Sequence, residues 1–129
     1  MRAALILCVL AGSVQASEKD CLSSIIFAEA RGEPLLGLAG LGQAAITKAA
    51  EEKTNICHLT GVQKKPVDKD IKPYLDAISI ELLSHPSTSI SQGANRWHSG
   101  SDIKSHGKIK RKIGRHTLTR QEVKHAHNR

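Results

Sequence analysis

Aromatic side chains are almost missing from this 129-residue chain, in which Phe27, Tyr74 and Trp97 are the whole set. So few rings argue against a base-stacking platform for nucleic acid and leave little for stacking on sugars. Phosphate-cradling loops, a GxSxG nucleophile elbow and a glycine-rich dinucleotide fingerprint are absent as well. His58, His85, His98, His106, His116, His125 and His127 are scattered, with no HExxH and no closely spaced pair of ligand motifs. No metal site and no cofactor are therefore expected. Long apolar runs are lacking too. Ala3 to Gly12 is apolar, yet too short to span a bilayer as a helix.

That short run has the form of an export signal. Met1-Arg2 gives a positive start, Ala3 to Gly12 an apolar centre, and Val14-x-Ala16 small residues before a cut at Ser17. Residues 1–16 are read as a cleaved signal peptide and 17–129 as one domain, secreted or periplasmic. Its removal takes Cys8 away and leaves Cys21 and Cys57, expected to form a disulfide in an oxidising compartment.

Charge is one-sided. Nineteen Lys and Arg against twelve Asp and Glu give a net +7. From Lys104 to Arg129 there are nine basic residues and one acid, Glu122. For an exported protein this points to anionic envelope polymers as possible partners of the basic C-terminal region. Nucleic acid is not expected, and the chain is expected to act as a monomer.

Ser17-Glu18-Lys19-Asp20 reads as a capping-box start for a helix over about 18–31, ending at Gly32. Pro34 suits the first turn of a second helix to about 52, whose Gly37, Gly40 and Gly42 imply close packing of another backbone. Residues 53–67 read as a loop with a short ordered piece. Ile71, Tyr74, Leu75, Ile78 and Leu82 give a third helix over about 68–84 an apolar stripe, with Pro73 in its first turn. A polar loop from Pro86 then carries Trp97 and His98. Lys108 to Thr119 suggests a short hairpin or irregular strands, and the last ten residues are polar. Helices first and strands later make an α+β, mainly helical domain.

Within the first helix, Leu22, Ile25, Ile26 and Glu29 fall at i, i+3, i+4 and i+7 and share one face. Desolvation on an apolar stripe and the negative end of a helix both favour the protonated form of Glu29, the form a general acid needs. Glu33 reads as a capping or turn residue, with Arg31 able to pair with either acid.

The segment from Cys21 to Pro34, with its Glu29-Ala-Arg-Gly-Glu33 core, resembles the signature of the SleB-type cell wall hydrolases, the spore-cortex-lytic family. Gly37 to Ile46, Ile56-Cys57 through Gln63, Gly93-Ala94 with Trp97-His98, and Ile113-Gly114-Arg115-His116 resemble later blocks of that family, in order. The resemblance covers about residues 20–120. It implies a small lysozyme-like domain acting on peptidoglycan glycan strands, with Glu29 as catalytic acid and then base in a lytic transglycosylase reaction giving 1,6-anhydro-muramic ends. Gln63, Trp97, His98 and His116 match motif positions and are expected to hold sugar or orient Glu29. The chain departs from the family where aromatic residues usually follow the glutamine and the final histidine, having Lys64-Lys65 and Thr117-Leu118-Thr119 instead. A catalytically inactive peptidoglycan-binding module, a metal-dependent N-acetylmuramoyl amidase and a basic membrane- or nucleic-acid-binding protein are the alternatives. Whether Asp102 adds a second acidic group is left open by the sequence.

Overall fold

The computed structural model describes residues 14–99 and 107–122. Most of the expected leader, Asp102, His106 and the final seven residues with His125 and His127 lie outside them. The protein is α+β. Helices α1 (Ala16–Ala30), α2 (Leu35–Glu51) and α3 (Lys72–Ser84) precede strands β1 (Arg96–Ser99), β2 (Lys108–Ile113) and β3 (His116–Arg120). A single 3-10 turn, Ile56–His58, lies between α2 and α3. Among the described residues, no helix is long and apolar enough to cross a membrane.

Helix α2 is the centre of the molecule. Its Leu38, Leu41, Ala45 and Ala49 join Leu22, Ile25 and Ile26 of α1 and Leu75 and Leu82 of α3 in the main core. Its Ala44 joins Ala94, Ile113 and Leu118 in a second cluster beneath the sheet. The glycines allow this two-sided packing, but against side chains rather than the backbone expected. A Cβ on Gly40 would lie 3.2 Å from Ile113 and Ile90, and one on Gly42 would meet Leu82. Overpacking by an added methyl costs about 1–3 kcal/mol, so the close approach offsets about 1 kcal/mol of helix propensity per glycine.

The sheet has the order β1-β3-β2, both pairs antiparallel. The hairpin expected over Lys108 to Thr119 is β2–β3, while β1 lies in what reads as a polar loop. Arg96-Trp97-His98-Ser99 has little strand character of its own, and pairing with Thr119 through His116 makes it a strand. Other local expectations also change. Gln15, not Ser17, precedes α1, with no side-chain cap. Pro34 sits just before α2 rather than in its first turn. Helix α3 starts at Lys72, later than Asp68, with Pro73 in its first turn. Tyr74, placed on the apolar stripe by periodicity, is 48% exposed.

Polar groups tie α1 to α3 beside this core. Ser23 Oγ donates to Asp76 at 2.8 Å and meets Ser79 Oγ at 2.9 Å. Lys72 bridges Asp76 and Asp20, at 2.7 and 3.1 Å. Hydrogen bonding from Lys72 leads the effects that hold the Asp20 carboxyl below its ordinary range. Burial alone would raise Asp76, and the bonds from Lys72 and Ser23 outweigh it.

The Cys21–Cys57 disulfide is present, with a Cα–Cα distance of 5.2 Å across 36 residues of sequence. It joins α1 to the 3-10 turn beyond α2. Closing a loop of that size contributes about 3–4 kcal/mol in the chain-entropy model. Replacing both cysteines by serine is expected to lower unfolding stability by about that amount, read as a lower urea midpoint with a steeper slope, since the unfolded chain without the bridge exposes more surface.

Candidate functional site

The disulfide brings the segment after the 3-10 turn back along α1. Ser24 Oγ donates to the Lys65 carbonyl at 2.8 Å, and the Gln63 backbone N–H donates to Glu29 Oε2 at 2.9 Å. Lys64 donates to the carbonyls of Cys57 and Leu59 at 2.7 and 3.4 Å. That lysine therefore closes the loop on itself. The loop presents Gly61 and Val62 to a groove of about 200 Å³ that also holds Glu29, Trp97 and His98.

Glu29 stands in the last turn of α1, half-buried, on the same face as the fully buried Leu22, Ile25 and Ile26. The apolar stripe thus ends in a carboxylate at the groove rather than burying one. Trp97 and His98 enter the groove from β1, an edge strand, so pairing with β3 carries them there. Gln63 contributes its backbone to Glu29, while the residue itself is exposed. His116 lies behind the groove, buried on β3, with Nε2 2.7 Å from the Glu29 carbonyl oxygen. It fixes the main chain from which the carboxylate projects.

Glu33 is neither a cap nor a plain turn residue. Its side chain is 3% exposed and reaches across to the β2–β3 turn. Arg115 donates to it from Nε at 3.0 Å and from the backbone N–H at 3.2 Å, and His116 Nδ1 faces it at 3.7 Å. Burial alone would raise the Glu33 carboxyl, and these bonds, with the charges of His116 and Arg115, outweigh it and hold it below its ordinary range. Arg31 pairs with neither acid and lies over the Phe27 ring at 4.9 Å. The two carboxylates of the Glu29-Ala-Arg-Gly-Glu33 core thereby separate, one lining a groove and one clamping helix turn to hairpin turn.

Sequence reading missed the other wall of the groove. Lys48 of α2, Asn95 and Arg96 line it and also line an adjoining polar hollow of about 330 Å³, bounded by Glu51, Glu52, Gln121 and Glu122. Asn95 is fixed there by bonds to Glu51 and to the Gln121 main chain, at 2.8 to 2.9 Å. Lys48 is paired with Glu52 one turn on, and Arg120 with Glu51 at 2.7 Å. Only the Asn-Arg inside the Gly93 to His98 block hinted at this wall. Among the described residues, no group of three or more His, Cys, Asp or Glu is arranged to hold a metal ion.

The basic C-terminal region is partly consumed by the fold. Arg115 and Arg120 serve Glu33 and Glu51, and Arg111 donates to the Ile90 carbonyl at 3.1 Å. Lys108 and Lys112 stay exposed on β2, the opposite sheet edge from β1. Charged side chains on an edge strand also discourage pairing with another chain.

Two outcomes test the clamp. A Cβ on Gly114, at φ +58°, would strike the Glu33 carboxylate. Gly114→Ala is expected to lose about 2–4 kcal/mol by denaturant unfolding, from backbone strain plus a displaced charged hydrogen bond. The depressed Glu33 carboxyl makes the unfolded chain bind more protons in acid, so stability falls as pH drops through about 4 and below. Asp20 and Asp76 act in the same direction. Glu33→Gln should therefore be less stable at pH 7 and show a shallower, not absent, loss of urea midpoint between pH 6 and about 3. The chain matches no protein-family model, and searches of curated proteins and of solved structures returned no match.

Proposed function

We propose that the protein is an exported peptidoglycan glycosidase of the lytic transglycosylase type, with Glu29 as acid and then base. The observation that carries this reading is the convergence of Glu29, Trp97 and His98 on one groove, with Gln63 and His116 bonded to Glu29 from either side. Glu29, Gln63, the adjacent pair Trp97-His98, and His116 come from four separate blocks of the resemblance. The disulfide supports a folding history in an oxidising compartment.

In this reading, a glycan strand lies along the groove with the bond from N-acetylmuramic acid to N-acetylglucosamine at Glu29. The Glu29 carboxyl donates its proton to the glycosidic oxygen as the bond to the muramic C1 breaks. Positive charge develops on that ring. The ring's own C6 hydroxyl oxygen then bonds to C1, and the Glu29 carboxylate takes the hydroxyl proton. The result is a 1,6-anhydro sugar and a regenerated acid, with no water consumed. Among the described residues lining the groove, Glu29 is the sole carboxylate, which favours an internal nucleophile over a water activated by a second acid. Among the described residues lining the groove, Trp97 is the sole Phe, Tyr or Trp. This economy of rings favours, as a second reading, a module that binds glycan without cleaving it.

Mass spectrometry of purified peptidoglycan digested with the protein and with Glu29→Gln separates these readings. Anhydro-muropeptides are expected from the wild type, with the variant slower by about 10²–10⁴-fold. Hydrated reducing ends would replace the internal nucleophile with water. Binding without glycan cleavage would leave the non-catalytic module, and released stem peptides would indicate an amidase.

A further inference from the structure

The last carbonyls of a helix have no partners inside it, and at the end of α1 the β2–β3 turn supplies them. His116 Nε2 lies 2.7 Å from the Glu29 carbonyl oxygen, and Arg115 Nη2 donates to the Arg31 carbonyl at 3.3 Å. A carbonyl oxygen only accepts, so Nε2 is a ring nitrogen that carries a proton. The other nitrogen, Nδ1, is buried, has no hydrogen bond and lies 3.7 Å from Glu33 Oε2. The charge of His116 is among the effects that hold the Glu33 carboxyl below its ordinary range, so ring and carboxylate attract each other. The imidazole is thereby fixed at both ends, and it cannot turn without losing one of them. From the other side, the Gln63 N–H donates to Glu29 Oε2 at 2.9 Å. A donor there favours the carbonyl form of that oxygen and puts the acid proton on Oε1. Where Oε1 points is then set by two anchors on different segments, Gln63 at the carboxyl and His116 at the main chain.

We propose that Glu33 is a positioning residue for the acid Glu29, acting through the His116 ring on the main chain at Glu29. The role rests on the glycosidase reading of the groove and gives the second acid of the Glu29-Ala-Arg-Gly-Glu33 core a part in turnover, although it touches no substrate. Glu33 is 3% exposed and is itself held by Arg115, from Nε at 3.0 Å and from the backbone N–H at 3.2 Å. It therefore presents a fixed charge to Nδ1 rather than a mobile one. Without that charge the ring is anchored at Nε2 alone, and the Glu29 carbonyl loses its rigid partner. A displacement of the main chain there carries Oε1 away from the glycosidic oxygen, and a misplacement of about 1 Å costs up to about a hundredfold in rate. Glu33 makes no contact with the glycan in this arrangement, so its effect falls on kcat and not on KM. Its clamp also stabilises the fold, and the two roles separate in kinetics.

The test is steady-state cleavage of soluble glycan strands released from peptidoglycan, using variants shown by circular dichroism to be folded at the assay temperature. Glu33→Gln is expected to lower kcat by about tenfold and to leave KM within about twofold. His116→Ala should lower kcat at least as far. Adding Glu33→Gln to it should change kcat by less than about twofold, because the path through the ring is already gone. His116→Gln places an amide N–H near the position of Nε2, so it should recover part of the kcat lost in the alanine variant, and it serves where that variant does not fold. Asp76→Asn weakens the α1–α3 network without touching the hairpin and is expected to keep kcat within about twofold. Wild-type kcat in Glu33→Gln, a change in KM alone, losses that multiply in the double variant, or an equal fall in Asp76→Asn would overturn the proposal. A wild type that cleaves no glycan removes the acid itself and this role with it. A wild type that cleaves, beside an unaffected Glu33→Gln, removes the role alone.

Discussion

A carboxylate buried between two turns holds this molecule together. Glu33 leaves the α1–α2 turn and ends at Arg115 and His116, on the turn and first residue of β3. Without partners, its desolvation would be costly, and the missing side chain of Gly114 leaves the space the Glu33 carboxylate occupies. The clamp fixes the sheet against the helices at the end where Glu29 emerges. His116 faces the clamp with one ring nitrogen and the Glu29 carbonyl with the other. The position of the groove carboxylate thus depends on a neighbour four residues along the chain that never reaches the groove.

The second support is covalent. The disulfide holds the loop after α2 beside α1, and Lys64 braces it internally. Together these bring the Gln63 N–H to Glu29. One side of the candidate site is therefore set by a loop tethered to α1 and the other by an edge strand tethered to β3. Between them the glycine-bearing α2 lies close enough to both layers for its Lys48 to form part of the wall. On that wall Glu52 pairs with Lys48, while Glu51 and Glu122 share Arg120.

Much of this was legible because it is local. The periodicity of Leu22, Ile25, Ile26 and Glu29 set a helix face, and it ends at the groove. Pro34 and Gly32 bracketed the helix break, and the cysteine count predicted the pair. The branched residues after Lys108 marked the hairpin. Strand β1 was hidden because Arg96-Trp97-His98-Ser99 carries no strand pattern and owes its conformation to Thr119, Leu118, Thr117 and His116 across the ladder. Tyr74 satisfied a helical stripe and is nonetheless half exposed, because periodicity gives a direction on a helix and not what covers it.

Short-range chemistry in the sequence by itself determined three helices, a hairpin, a disulfide and one carboxylate in an unusual position. Which of the two acids in Glu29-Ala-Arg-Gly-Glu33 faces the groove was decided only by tertiary structure. Both lie near the same helix end, and the difference comes from Arg115, which is 82 residues from Glu33 in sequence. The same holds for Arg96. It lies on the groove wall beside Asn95, which bonds to Glu51 and to the Gln121 main chain from two other segments. Such placements depend on neighbours from distant segments, and a linear pattern does not contain them.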